Sequence, residues 1–495
     1  MPGRKRRKLK TPITSTGHGL EAATGTAVDV QPPDPIFLLP TELVVIVLGL
    51  IDDEDLYSLS LLSKKLHYLA LPILMSRLDG QIACGCLYLN RHPTKFLRAA
   101  RMALFVQDST SISVNLWRRD PVFPMLRGLE RLISRMSHVR TVSLGFGLVG
   151  NLVDQTKIVR AFGGFVETLV NKSCEELTLA GCALGPTLEV YSHHKIPSLT
   201  TLRSVDVQYS TLSCPWVRSW IIDSVNISPI TRLVFHQVAL SDDPSSFGKD
   251  LQLITLPSLT HLSVSSRANL QFCDIASFLR RHHRIKNLTL KCDTAIPSGS
   301  HSLPDDSLPV LTTLRTTPQY VIQLLRPRNS LPSLMHVDID PGFTMFAPLF
   351  GELSVENRFA YVEECLTRLA RRRDITSIGL YLPLCVSAEA WLTLGSHPRR
   401  GKRRDVERHL VHINALTLHS TMGQQASTKT ISLIPKWLSL FPTLQHVDIG
   451  VLLGRMSSAE EKIFVRATIE ACPKLETVQL IWRRSVAELR QMLYD

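Results

Sequence analysis

One pattern recurs along most of this chain and limits what it can fold into: apolar-x-x-apolar-x-apolar. It reads VRTVSL from Val139, CEELTL from Cys174, LRSVDV from Leu202, ITRLVF from Ile230, LTHLSV from Leu259 and IKNLTL from Ile285. It continues as LTTLRT from Leu311, LMHVDI from Leu334, ITSIGL from Ile375, INALTL from Ile413, LQHVDI from Leu444 and LETVQL from Leu475. Successive copies start 23 to 41 residues apart and cluster near 28. A period in that range is the signature of a solenoid. Leu199 opens a rival register for the Leu202 copy. Pro stands two residues before the first apolar position at Pro257, Pro309, Pro332, Pro442 and Pro473, where it blocks helix continuation and favours extended backbone. Between copies lie helical stripes: Trp216, Val217, Trp220 and Ile221; Ile275, Phe278 and Leu279; Phe359, Val362 and Leu366; Ile463, Phe464, Thr468 and Ile469. Each unit therefore reads as a short strand and a helix stacked on its neighbours. The alternative is a non-repeating α/β domain whose strands share a pattern.

Strand alternation turns the third, fifth and seventh residues of each copy away from the core. Third positions include His261, His336 and His446. Asp206, Arg315, Asp338 and Asp448 hold fifth positions, and Gln208, His236, Lys291, Asp340, Tyr381 and His419 hold seventh positions. These ten fifth- and seventh-position residues are the candidate substrate-facing set, a mixed polar strip of the kind solenoids use to recognise proteins.

A different pattern precedes the repeats. Residues 36–78 read as a compact three-helix unit. Pro40 suits a helix start and Glu42 favours the helix dipole. Leu43, Ile46, Val47 and Leu50 make one apolar stripe. Asp52, Asp53, Glu54 and Asp55 begin a second helix. Leu66, Leu69 and Ala70 form a third short stripe, which Pro72 is expected to end. A unit this small needs a partner surface to cover its apolar residues.

Two resemblances follow. The run Leu39-Pro40-x-Glu42-Leu43, then Ile46, Leu50, Asp55-Leu56, Leu59-Ser60, Ser63-Lys64 and Leu69-Ala70, resembles a fungal-type F-box. The repeats resemble irregular leucine-rich repeats. That family's Asn or Cys, eight residues after the first apolar position, is matched at Cys182 and replaced at Gly147, Ser210, Val238, Arg267 and Asp293. An Asn ladder is therefore not expected to hold the turns. The fold class implied is α/β, with an N-terminal three-helix F-box-like unit followed by a leucine-rich-repeat-like strand-helix solenoid over residues 79–495.

The F-box resemblance implies a non-catalytic, substrate-recognition adaptor of a Skp-cullin-F-box ubiquitin ligase. Leu39, Pro40, Leu43, Ile46, Leu50, Leu56 and Leu59 would dock the Skp-type linker subunit of the cullin complex. The solenoid would hold an unknown substrate protein. The alternative is a repeat scaffold for protein-protein interaction without ubiquitin transfer.

Charge and cysteine usage bear on where such a chain works. The formal net charge is +13, but residues 4–10 carry six positive charges and residues 398–404 five, so the rest is nearly neutral. Residues 1–35 read as a disordered basic tail and residues 396–408 as an exposed basic loop. Such runs fit nuclear import, so a nuclear or cytoplasmic location is expected. Nucleic-acid binding is not, because basic residues are not interleaved with aromatics over a folded face. No apolar run is long enough to span a membrane. The ten cysteines read as reduced intracellular thiols. Gly145-Phe146-Gly147-Leu148-Val149-Gly150 is a literal G-x-G-x-x-G, yet the next strand ends in Gly181-Cys182 where a dinucleotide fold needs an acid. Cys84-x-Cys86 lacks a second pair at zinc spacing. The pairs His193-His194, His282-His283 and His409-x-x-His412 have no ligand set beside them. No cofactor and no metal are expected.

Overall fold

The computed structural model describes residues 39–78, 80–83, 85–89, 93–116, 122–146, 155–181, 196–208, 212, 214–238, 246–266, 272–292, 303, 307–326, 331–340, 355–382, 386–395, 410–420, 427–449, 458–480, 483–486 and 488. Both basic runs, Cys84, Gly147 to Gly150, Cys182, His193, His194 and His409 lie outside them. The chain divides into two compact units, Met1–Asp52 and Asp53–Asp495.

The described part of the first unit is one helix, α1 (Thr41–Leu50), with Pro40 at its N-cap and Glu42 in its first turn. The sequence TELVVIVLGL is apolar on every side, and only Val44 and Leu48 are buried.

The second unit opens with α2 (Asp53–Leu59) and α3 (Lys64–Arg77). Asp53, Glu54 and Asp55 fill the first turn of α2, and the Ser63 hydroxyl caps α3 by accepting from the Leu66 N–H at 3.2 Å. Pro72 does not end α3, which runs a further five residues to Arg77. Pro72 itself is exposed, and its ring supplies no N–H to the carbonyl four residues back. Burial of Leu71, Leu74 and Met75 on the other side offsets the roughly 3 kcal/mol cost of an interior proline. His67 ties α3 to the array. Its Nε2 accepts from the Leu104 N–H at 3.1 Å, so Nδ1 carries the proton and donates to the Ser60 carbonyl at 3.0 Å.

Beyond α3, most strands are followed by a helix. The first half holds β1 (Gly80–Ala83), β2 (Cys86–Leu89), α4 (Pro93–Ala100), β3 (Ser111–Leu116), α5 (Val122–Arg135), β4 (Thr141–Phe146), α6 (Gln155–Asn171), β5 (Glu176–Ala180), β6 (Ser204–Gln208), α7 (Pro215–Ile227), β7 (Arg232–Val238), α8 (Ser246–Leu253) and β8 (His261–Ser266). The second holds α9 (Phe272–Arg281), β9 (Asn287–Cys292), β10 (Thr313–Thr316), α10 (Pro318–Leu324), β11 (His336–Ile339), α11 (Val355–Leu369), β12 (Ser377–Leu382), α12 (Val386–Gly395), β13 (Ala415–Ser420), α13 (Thr428–Leu438), β14 (His446–Asp448), α14 (Ser458–Ala471), β15 (Thr477–Gln479) and β16 (Arg483–Ser485). Among the described residues the strands form one sixteen-stranded sheet in strict sequence order. The end strands β1 and β16 pair antiparallel with β2 and β15; pairings between them are parallel, as at β9–β10, β10–β11 and β11–β12. This is a leucine-rich-repeat-like solenoid, not a set of unrelated strands.

The twelve sequence copies land in one register. Every first apolar residue, from Val139 to Leu475, is buried, and the strand starts two residues later each time. Leu202 is the first position of its copy, since β6 starts at Ser204. Two further turns lie upstream at β2 and β3. The β3 copy escapes a search for apolar residues because Ser109, itself buried, holds its first position.

What holds the turns is backbone. The carbonyl after each first position accepts two N–H groups from the next turn, at 2.7–3.3 Å: Arg140 from Glu175 and Glu176, Glu175 from Arg203 and Ser204, and so on to Gln445 from Glu476 and Thr477. Threonine hydroxyls reinforce this ladder at Thr231, Thr260 and Thr312. On the helical side, aromatic rings link successive units: Phe359 stacks on Trp391 at 5.0 Å, and Trp391 meets Trp437 at 5.5 Å. In α14 the buried stripe is Phe464, Val465 and Thr468, whereas Ile463 is exposed. Two residues of the expected stripe, Phe464 and Thr468, hold the core, Ile469 is half-buried, and Val465 is buried in place of Ile463.

Candidate functional site

Two surfaces hold the residues that the sequence singles out. The first is α1. Leu39, Pro40 and Leu43 are exposed, Ile46 is 60% exposed and Leu50 85%. Val45 and Val47 add to the apolar surface. In the second unit Leu59 is half-buried and Leu56 is fully buried, so Leu56 offers no surface to a partner in this conformation.

The second surface is the open face of the sheet. All ten candidate residues are half-buried; nine occupy alternate positions of their strands, and Asp340 follows directly after β11. The register brings six of them together. Arg315 lies opposite Asp338, and Tyr381 opposite His419. The Lys291 ammonium pairs with the Asp340 carboxylate at 2.7 Å. The Tyr381 ring carries the Arg315 guanidinium at 4.6 Å and Lys291 at 5.4 Å, and it stacks on the His419 ring at 4.3 Å. Asp448 lies one strand beyond, opposite Thr417. Asp206, Gln208 and His236 sit apart from the cluster on β6 and β7, with Gln208 opposite His236.

Sequence reasoning placed His336 on this face but missed its role, and missed Ser377 and Gly379. The His336 Nε2 meets Asp338 Oδ1 at 2.8 Å, and its Nδ1 meets Ser377 Oγ at 2.8 Å. Gly379 lies opposite Asp338, and a methyl group there would overlap the Asp338 carboxylate. Only the strand register reveals these neighbours, since Ser377 and Gly379 lie some forty residues from their partners. Burial raises the Asp338 pKa, but the His336 hydrogen bond and the charges of His336, His419 and Arg315 outweigh it and hold the carboxyl below its ordinary range. Burial, with Arg315 and His336, lowers the His419 pKa against the pull of Asp338 and Asp448. Burial raises the Tyr381 phenol, which Arg315 opposes.

Ser377, His336 and Asp338 form a hydroxyl-imidazole-carboxylate chain, but a second pair explains it better as strand furniture. His446 Nδ1 meets Thr477 Oγ1 at 2.9 Å in the same register position. The Ser377 N–H is taken by the Met335 carbonyl at 3.1 Å, so it is not a free donor for an oxyanion. The arrangement presents fixed, mutually compensated charges and a ring, which suits recognition. Among the described residues no group of three or more His, Cys, Asp and Glu could hold a metal ion, and no helix is long and apolar enough to cross a membrane.

No family model matches this sequence, and no curated protein does. Among solved structures, it is similar to the leucine-rich repeat-containing protein LegL7 from Legionella pneumophila. That match has 11% identity and a TM-score of 0.35, covering 77% of this chain and 97% of the other. A second similar structure is a Bacteroides fragilis protein, at 12% identity and a TM-score of 0.30, covering 63% of this chain and 70% of the other. At these TM-scores the likeness adds nothing to the topology already described.

Proposed function

We propose that this chain is a non-catalytic substrate-recognition adaptor of a Skp-cullin-F-box ubiquitin ligase. The observation that carries the reading is α1: a helix apolar all round, with Ile46 and Leu50 mostly exposed. Such a helix is expected to be buried against something, and by the F-box resemblance that something is the Skp-type linker. The solenoid supplies the other half, a half-buried polar face that suits protein binding. Its mechanism is effective concentration: one chain holds substrate and ligase together. The basic runs at 4–10 and 398–404 support nuclear import alongside a cytoplasmic pool.

The test is retention of a recombinant Skp-type linker on the immobilised full chain. Wild type is expected to retain it and Ile46→Glu/Leu50→Glu to lose it, at two side chains that are mostly exposed. Failure of wild type to retain the linker removes the adaptor reading. One observation favours the second reading, a repeat scaffold without ubiquitin transfer. His67 bonds α3 to the array through Leu104, as a terminal cap would.

A further inference from the structure

A groove of about 780 Å³ lies between α4 and α5. Its electrostatics are one-sided. Arg98 and Arg101, three residues apart, line one wall, and Arg127 and Arg131, four apart, line the other. Glu130 is the one carboxylate lining it, and Arg127 already holds it at 2.9 Å. The Arg98 guanidinium lies over the Tyr57 ring at 5.0 Å. Arg101 and Arg131 are exposed and have no ion-pair partner among the described residues. Like charges three and four residues apart on a helix repel, so this arrangement lowers its energy when an anion enters.

We propose that this groove binds an acidic peptide segment, a stretch of Asp and Glu carboxylates on a partner protein. The inference does not depend on linker docking by α1. Guanidinium groups suit carboxylates because they bond them bidentately. The exposed Phe123 and Pro124 along the same groove give an apolar side chain of the segment a place to rest. A single strand of nucleic acid is less well served, because its bases stack on successive aromatic side chains and Phe123 is the one aromatic residue lining the groove. A flat bilayer does not enter a groove of this shape.

The experiment uses the full chain and a short fluorescein-labelled peptide of alternating glutamate and leucine, read by anisotropy. Wild type is expected to bind it, more weakly as salt rises. Arg101→Glu/Arg131→Glu is expected to bind at least about tenfold more weakly, since hydrogen bonds between charged groups are lost. Arg280→Glu/Arg466→Glu, which removes two exposed charges elsewhere, is expected to bind as wild type. Circular dichroism checks that both variants fold. No binding by wild type overturns the proposal, as does an equal loss in both variants. Tighter binding of a matched phosphoserine peptide, an RNA hairpin or a phosphatidylserine vesicle, abolished by the same groove variant, assigns the groove to that ligand instead.

Discussion

Asp250 and His282 are buried ionisable groups that set opposite pH dependences. Asp250 is 4% exposed. Its Oδ1 meets the Arg218 Nε at 3.1 Å, and its Oδ2 has no hydrogen-bond partner. Burial pushes its pKa up to about 6, with Arg218 pulling the other way. Unfolded, the carboxyl titrates near 3.9. Between about pH 6 and pH 4 the folded chain therefore holds more protons, and this group's contribution to stability rises as pH falls. His282 works the other way. Its Nε2 accepts from the Leu256 N–H at 2.9 Å and Nδ1 donates to the Phe278 carbonyl at 2.7 Å. Burial lowers its pKa, so stability from this site falls once pH drops below about 6.5, where the unfolded imidazole gains its proton. Asp250→Asn is expected to stabilise the protein at pH 7.5 by about 1–3 kcal/mol, with the gain shrinking at pH 5. Urea unfolding of both proteins at the two pH values measures it. Equal gains at both values would show that the carboxylate is not the source.

At the scale of elements, the strand pair β11–β12 shows how packing sets a residue type. The Asp338 carboxylate occupies the space over Gly379, which frees it to reach His336. Gly379→Ala is expected to displace that carboxylate and cost about 1–3 kcal/mol, the usual penalty for overpacking. A urea midpoint that does not move would show that Asp338 rearranges freely. The strands were legible in the sequence because Val, Ile and Leu recur at positions one, four and six. The turn that sets each strand was not. Leu256, Leu308, Leu331, Phe441 and Cys472 each accept the N–H of the residue three later, with Pro257, Pro309, Pro332, Pro442 or Pro473 following as the second turn residue. These turn-opening residues are all buried, so the repeat has an additional core position three residues before its first. Leu199 holds it in the β6 copy, which is why that copy offered a rival register. Elsewhere His282 and Arg372 stand in the same place. Each bonds its counterpart one turn back, His282 to the Leu256 N–H and Arg372 to the Leu331 carbonyl at 2.7 Å. A search for apolar residues passes over both. The sheet-face cluster was half legible: alternation gave its facing residues, but only register joins Lys291 to Asp340 or His336 to Ser377.

In the second unit as a whole, the strands depend on their neighbours. From the Gly85 carbonyl to that of Gln445, each turn bonds the next. Each strand between the ends borders only the one before and the one after it. Stability in such an array is close to a sum of unit terms and nearest-neighbour interfaces. A lesion in the middle therefore weakens interfaces on both sides, whereas a lesion near an end frays that end alone. Leu314 in β10 and Val478 in β15 are both fully buried, so truncation leaves a cavity at either site. Leu314→Ala is expected to cost about 2–5 kcal/mol and to speed amide exchange across β9, β10 and β11 by roughly thirtyfold for each 2 kcal/mol lost. Val478→Ala is expected to speed exchange in β14, β15 and β16 and to leave β4 to β9 as in wild type. Hydrogen–deuterium exchange with peptide-level mass spectrometry reads both variants. If Val478→Ala instead raised exchange evenly from β3 to β16, the array would be opening as one cooperative block. A protected middle and a soft end are what the nearest-neighbour ladder requires, because the backbone bonds of one turn are satisfied by the turn beside it.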